Sequence, residues 1–436
     1  MWRLTGMFLA VVLAASAQVS VLQNATIIDG TGGAPIENGT IIIAGGKIRD
    51  IGPSARVKAP AGAQLVDLKG KTIIPGIINL HGHVGMAKGL SQDMANYTRE
   101  NAEAQLRTFA QYGVTTTTSM GTDSDLILDI RAEQRRGRLN GARVFTAVRG
   151  FTGVGGYPTS APGVKGVVHE AATSAQARVW VDNMAKQGAD FIKIWVDDHH
   201  DKEPKISPEI YGAVIDQAHK RKLSAFAHVY ELADARGLVA AGINALIHSV
   251  RDAEIDAALI AAMKKGNVAY VPTLSREQST FIYADSPAWL DDPFFAKGTT
   301  PEIIQAVKTK LKQTQANDPD REINRKGFEI ALRNLKKLFD AGVPIGFGTD
   351  SGPPGRFSGY FEHWEMELML QAGLTPMQII ESFSKTSAAV LGASKDLGTL
   401  TKGHAADLVV LDKNPLDDIR NSRSIHAVYL GGRKFE

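Results

Sequence analysis

The chain has no cysteine among its 436 residues. That absence excludes a disulfide framework and a thiolate site, and it leaves nitrogen and oxygen atoms as the donors for any metal. Long hydrophobic runs are lacking too. The segment that comes nearest, Met1 to Ala17 (MWRLTGMFLAVVLAASA), has one basic residue, Arg3, and an apolar stretch too short for a bilayer span, interrupted by Thr5 and Gly6. Its Ala15-Ser16-Ala17 pattern ahead of Gln18 predicts a secretory signal, with a short membrane anchor as the alternative. The expected product is therefore exported, periplasmic or secreted, with no membrane span once the signal is removed.

Charge of one sign is also missing. Forty-nine Lys and Arg stand against 46 Asp and Glu, a net charge of +3, and aromatics make up 7%. No basic cluster carries the interleaved aromatics of a nucleic-acid surface, so a nucleic-acid partner is not expected. The locally basic run Arg131 to Arg138 (RAEQRRGR) falls at a helix end, where cations suit the helix dipole. No solenoid-period repeat and no low-complexity tract occurs. With 44% hydrophobic residues the composition is that of one large globular domain plus a satellite. Nothing in it decides between a monomer and a homo-oligomer.

What the chain does have is a set of polar side chains at the ends of apolar runs. In Thr72 to His83 (TIIPGIINLHGH) the run leads into His-Gly-His, and strand alternation turns His81 and His83 to the same face. Lys193 lies inside Phe191 to Val196 (FIKIWV), where a free ammonium would be costly to bury and must be neutralised. His228 closes SAFAHV, His248 follows ALI in ALIHSV, and Asp350 ends VPIGFGTD. Ligands released from the carboxyl ends of several strands are the habit of a (β/α)8 TIM barrel. Taken singly, each has an ordinary structural use: a satisfied core histidine, a snorkelling lysine, a helix-capping aspartate.

Strand counting supports the barrel. Val114 to Met120, Arg143 to Val148 and Val268 to Leu274 add three short β-branched or apolar runs, which brings the total to eight. Helical patterns lie between them at Asn96 to Tyr112, Ser174 to Gln187, Ser207 to Lys222, Leu232 to Ala241 and Ala253 to Lys265. Residues 275–341 interrupt the rhythm as an insertion, either a lid or a plain surface excursion, ahead of the seventh helix. The two ends carry similar strand-and-turn sequence, and neither is long enough for a core of its own. The expected organisation is a signal peptide at 1–17, part of a β-sandwich at 18–70, a TIM barrel at 71–397 and the rest of the sandwich at 398–436.

These motifs carry a resemblance that runs from about residue 19 to the end. PGIINLHGH (75–83), FIKIWV, AHVYE (227–231), IHSV (247–250), VPTL (271–274), GTDSG (348–352) and GHAADLVVLDKNPL (403–416) resemble the amidohydrolase superfamily. Within it they are similar to the binuclear, carboxylated-lysine subtype and to imidazolonepropionase-like and Xaa-Pro dipeptidase-like amidohydrolases. The resemblance implies two divalent ions, zinc foremost, bridged by a carbamate that carbon dioxide forms on Lys193. It implies His81, His83 and Asp350 on the more buried ion and His228 and His248 on the more exposed one. It implies hydrolysis of an amide-type C–N bond in a small-molecule substrate, a peptide or N-acyl amino acid for instance, by a metal-bridging hydroxide, with Asp350 moving the proton to the leaving group.

Substrate contacts are less well marked. Tyr230, two residues after His228, is a candidate hydrogen-bond donor, and Arg236 is a candidate partner for a carboxylate. Where the dipeptidase-like relatives carry a Gly-Gly-His element this chain has TGVGGY, which offers Tyr157. His169, His199, His200, His219, His363, His404 and His426 are expected in surface or packing roles. Three alternatives stand beside the binuclear amidohydrolase. One is a mononuclear deaminase or imidazolonepropionase-type ring hydrolase, for which His228 and Glu231 have the required His-x-x-Glu spacing. The others are a lactonase or esterase and a scaffold without catalysis.

Overall fold

The computed structural model describes residues 19–436. The expected signal at 1–17 lies outside the described residues. Local chemistry accounts for most element boundaries. The helix Ser174–Gln187 starts where the Thr173 hydroxyl accepts the Gln176 N–H, and it stops at Gly188, whose φ of +86° a side chain would resist. Ser207 caps Pro208–Lys220 in the same way, with proline at the first helical position, where no N–H is needed.

Two parallel sheets carry the site. One orders Arg143–Thr146, Val114–Ser119 and Ile77–Asn79; the other runs His169–Ala171, Phe151–Gly153, Phe191–Val196, Ser224–Val229, Ala245–Ile247 and Ala269–Val271. Helices connect most successive strands, but loops alone join Arg143–Thr146 to Phe151–Gly153 and that strand to His169–Ala171. The expected eighth strand, 343–350, is not a regular strand. Pro344, Gly346 and Gly348 interrupt it, yet it is hydrogen-bonded on both sides. Tyr270 N–H donates to Pro344 O at 2.9 Å, Leu80 N–H to Phe347 O at 2.7 Å and Asp350 N–H to His81 O at 2.7 Å. Glycine is required at 348, where a Cβ would stand 2.7 Å from Val271 Cγ1 and 3.0 Å from the His81 backbone nitrogen. This segment thereby bridges the last strand of one sheet to the first strand of the other.

The run Thr72 to His83 divides at Pro75-Gly76. Thr72–Pro75 leaves for a separate eight-stranded sheet, and Ile77–Asn79 joins the parallel one. That eight-stranded sheet draws on both ends of the chain: Leu408–Leu411 pairs antiparallel with Thr72–Pro75, which pairs with Ser20–Ile27. Leu22, Ile41, Ile43, Ile73, Leu408 and Val410 bury one face, each no more than 2% exposed. Truncating one of them to alanine would cost about 2–5 kcal/mol.

In the insertion, the helix Arg321–Asp340 follows several short helical turns. Trp289, Phe294 and Phe295 stack against Tyr360, and Trp289 also meets Phe361 and Trp364, so this part is an aromatic buttress on the helix Tyr360–Gln371.

Candidate active site

The structure gathers His81, His83, His228, His248 and Asp350 toward the carboxyl end of the parallel strands, with Lys193 inside its strand and within the field of His81, His228 and Asp350. The potential ligand atoms of His81, His248 and Asp350 lie within 4.8 Å of one another. Ring centroids are 4.5 Å apart for His81 and His248 and 4.4 Å for His228 and His248. Asp350 Oδ1 stands 3.4 Å from His81 Nε2 and 3.1 Å from His83 Nε2.

Three of the histidines use one ring nitrogen for anchorage. His83 Nδ1 meets Thr122 Oγ1 at 3.1 Å, His248 Nδ1 meets Thr273 Oγ1 at 2.7 Å, and His228 Nε2 meets Asp197 Oδ2 at 2.7 Å. The nitrogen left over in each is then fixed in tautomer and direction, as ligand histidines require. His81 differs, since its buried Nδ1 has no hydrogen-bond partner. Burial is the main force lowering the proton affinity of His81, His228 and His248, with His228 brought down to about 3. All three stand as neutral imidazoles, the form that binds a cation, and His228 donates its Nε2–H to a charged Asp197.

Lys193 is the anomaly among these groups. It is fully buried, and its Nζ has no hydrogen-bond partner. Burial lowers its pKa from 10.5 to about 7, with Asp350 pulling weakly the other way. An amine in that state is both uncomfortable and reactive. Orphaned Lys193 Nζ and His81 Nδ1, surrounded by nitrogen and carboxylate donors, fit a site built around cations.

Asp350 is charged at rest. Burial alone would raise its pKa, but the Arg356 guanidinium and a hydrogen bond from His83 hold it well below the usual carboxylate range. Its backbone, like that of His248, lies in the left-handed region, at φ of 56° and 75° respectively. One buried carboxylate supports this side of the site. Glu362 Oε1 accepts from Asn79 Nδ2 (2.6 Å), Thr349 Oγ1 (2.8 Å) and Ser351 Oγ (2.7 Å), while Oε2 accepts from Gly359 N–H (2.6 Å). Asn79 Oδ1 in turn accepts the His81 N–H at 2.9 Å.

The substrate contacts need revision. Tyr157 does face the site, its ring 5.2 Å from His228 and 4.1 Å from His199. Tyr230 is stacked under Arg251 at 4.4 Å and edge-on to His200, and so forms a wall. Arg236 is a correction: it sits on the exposed face of Leu232–Ala240 and pairs with Asp256 across the helices, so it does not meet the histidines. Two arginines that the sequence did not single out lie there instead. Arg356 bonds to Asp350 Oδ2, and Arg276 Nε is 3.7 Å from the same oxygen. Glu231 is turned away onto Lys205 at 3.1 Å. His363 has the expected packing role, buried between Ser422 Oγ and Tyr112 O.

Comparison with known proteins places the chain among relatives. The model of the amidohydrolase family matches residues 72–434. An ochratoxinase from Aspergillus niger is 25% identical over 58% of this chain and 47% of its own length, so the match spans about half of that relative. An imidazolonepropionase from Streptomyces avermitilis is 24% identical over 86% of this chain and 81% of its own. Among solved structures, a putative prolidase from Bifidobacterium longum superposes with a TM-score of 0.77 at 25% identity, covering 96% of this chain and 94% of that one.

Proposed function

Because the chain belongs to the amidohydrolase family, we propose that it is a metal-dependent hydrolase of amide-type C–N bonds, exported to the periplasm or beyond and built on a closed (β/α)8 barrel flanked by a composite β-sandwich. The observation that carries the two-metal form is Lys193, a fully buried amine without a hydrogen-bond partner, 5.5 Å over the Trp195 ring and within the field of His81, His228 and Asp350. With a pKa of about 7, much of it is neutral at ordinary pH and able to add carbon dioxide. That N–C bond would release one proton and turn the buried amine into an anionic carbamate, an oxygen donor for cations. His81, His83 and Asp350 would hold the inner ion, and His228 and His248 the outer one.

Divalent ions in this set, zinc by preference, supply an acidified water and a polarised substrate carbonyl. The rest falls to the chain. Asp350, charged at rest, takes the proton of the attacking water and returns it to the leaving nitrogen. Asp197, Thr122 and Thr273 keep the imidazoles aimed. Tyr157 and Tyr230 wall the approach.

The similarity to an imidazolonepropionase along most of the chain supports a second reading, a mononuclear ring hydrolase or deaminase. That chemistry needs Glu231 at the attacking water, and its carboxylate is on Lys205. Metal analysis of the purified protein is expected to give close to two divalent ions per chain. Lys193→Ala is expected to lose both metal and hydrolysis, and a short carboxylic acid such as propionate to restore part of each. Activity is read on a panel of dipeptides, N-acyl amino acids, lactones and cyclic ureas. One ion with full activity, or an active Lys193→Ala enzyme, would sink the binuclear reading.

A further inference from the structure

Thr273 stands directly ahead of the helix Leu274–Ser279, the position at which a threonine hydroxyl ordinarily accepts a backbone N–H of the first turn. Here the hydroxyl takes no part in capping. It is turned instead to His248 Nδ1 at 2.7 Å, with Glu277 Oε1 3.5 Å away to accept its hydrogen. In that order Nδ1–H of His248 is the donor to Thr273, and its Nε2 is free for a cation. The backbone bends to allow this. Thr273 has φ of 48° and ψ of 46°, left-handed values that a β-branched residue resists. A helix start without its usual cap, on a strained residue, needs support from elsewhere. One fully buried carboxyl group supplies it: Glu365 Oε1 accepts the Leu274 N–H at 2.8 Å and Oε2 accepts the Ser275 N–H at 2.6 Å. Glu365 comes from the helix Tyr360–Gln371, 91 positions beyond Leu274.

We infer that Glu365 is a positioning residue for His248: it caps Leu274–Ser279 in place of Thr273 and so frees the threonine hydroxyl to aim the imidazole. The inference rests on the metal-dependent reading of the site and deepens it. Glu365 meets neither substrate nor ion in this arrangement and acts through Thr273 alone. Two oxygens on one side chain match two successive N–H groups, whereas glutamine would turn an NH2 against one of those donors. Glu362, three residues earlier on the same helix, serves the backbones of His81 and Asp350 through its own oxygens. The two carboxyl groups therefore have separate clients, and loss of Glu365 is felt at His248 only.

The test strips the full chain of metal with a chelator and titrates it with zinc, in the wild type, Glu365→Gln, Thr273→Val and the double variant. Glu365→Gln is expected to weaken one ion of the two, the outer one, by roughly 10- to 100-fold. Thr273→Val, which removes the hydroxyl and keeps the shape, should weaken the same ion. Because the two residues act in series, the double variant should lose no more than the worse single one. Additive losses, or a Glu365→Gln chain that releases both ions alike, overturn the proposal. A second readout needs no metal. Nitrogen-15 spectra of the histidine rings should show His248 as the Nδ1–H tautomer in the wild type and as a mixture of tautomers in Glu365→Gln; a His248 signal that does not change between the two overturns the proposal as well. Amide exchange in the wild type covers the case of a variant that fails to fold. Leu274 and Ser275 should exchange as slowly as the strand Ala269–Val271, and free exchange at those two amides would remove Glu365 from the turn. A wild-type chain that takes up no divalent ion would sink the hydrolase reading, while the tautomer and exchange measurements would still decide the role of Glu365.

Discussion

His81 and Asp350 share a single support, whereas His228 and His248 each have their own. On one side of the site the Glu362 carboxylate gathers Asn79, Thr349 and Ser351, so the backbones that present His81 and Asp350 are tied to one atom on one helix. On the other side Asp197 anchors His228 and Thr273 anchors His248, with no shared atom. A shared anchor makes failure collective, because one lost acceptor strands several buried donors at once. Separate anchors confine the damage.

The comparison breaks hardest at its working end. Asp350→Asn, which keeps the shape and removes the base, is expected to lower kcat by about a thousandfold or more while the fold stays intact by circular dichroism. An active Asn variant would remove Asp350 from the proton path. Glu362→Gln comes next. Its amide would face four donors with one fewer acceptor, and loss of metal affinity and activity by roughly 10- to 100-fold is expected, together with a lower Tm. Asp197→Asn should cost about tenfold and act on the retention of one ion rather than two, which titration with a chelator would resolve. If the two supporting variants lose the same ions in the same order, the division into shared and separate anchorage is wrong.

Lys193 sits between the halves and gives a pH test. Burial depresses its pKa from 10.5 in the unfolded chain to about 7 in the fold. Between those values the unfolded chain holds more protons, so stability rises with pH. Metal-free protein in carbon dioxide-free buffer should gain on the order of a few kcal/mol from pH 7 to pH 10, and Lys193→Met should flatten that slope in denaturant titrations. The smallest effect belongs to Glu231→Gln. Held by Lys205 outside both halves, it should change kcat by less than about threefold. A collapse with metal content unchanged would favour the mononuclear enzyme.

The polar residues at the ends of the apolar runs were legible because strand alternation and the cost of burying a lysine are local rules. His81, His83, Lys193, His228, His248 and Asp350 stood out as a set through their shared place on apolar runs, and the family resemblance supplied their expected roles. The supports were not legible in this way. Glu362 lies 281 positions from His81 in the chain, and its role arises from tertiary contacts alone. Asp197 did carry a signal, standing directly after the lysine strand, and Thr273 lies inside the VPTL motif. Arg276 and Arg356 were not singled out by the sequence, and only the packed structure sets them beside Asp350. Pro75-Gly76 was the clue that one apolar run serves two sheets. The irregular segment 343–350 kept its partners because glycine lets backbones approach where a strand rich in β-branched residues would not fit.

The left-handed backbones of His248 and Asp350 set engineering and function against each other. Glycine adopts that conformation freely, and an L-residue held there costs of order 1–3 kcal/mol. A selection for heat resistance alone would therefore drift toward glycine or asparagine at 248 and 350, and the survivors would be more robust and inert. A library meant to harden this protein for use should hold those two codons constant and look for its gains elsewhere.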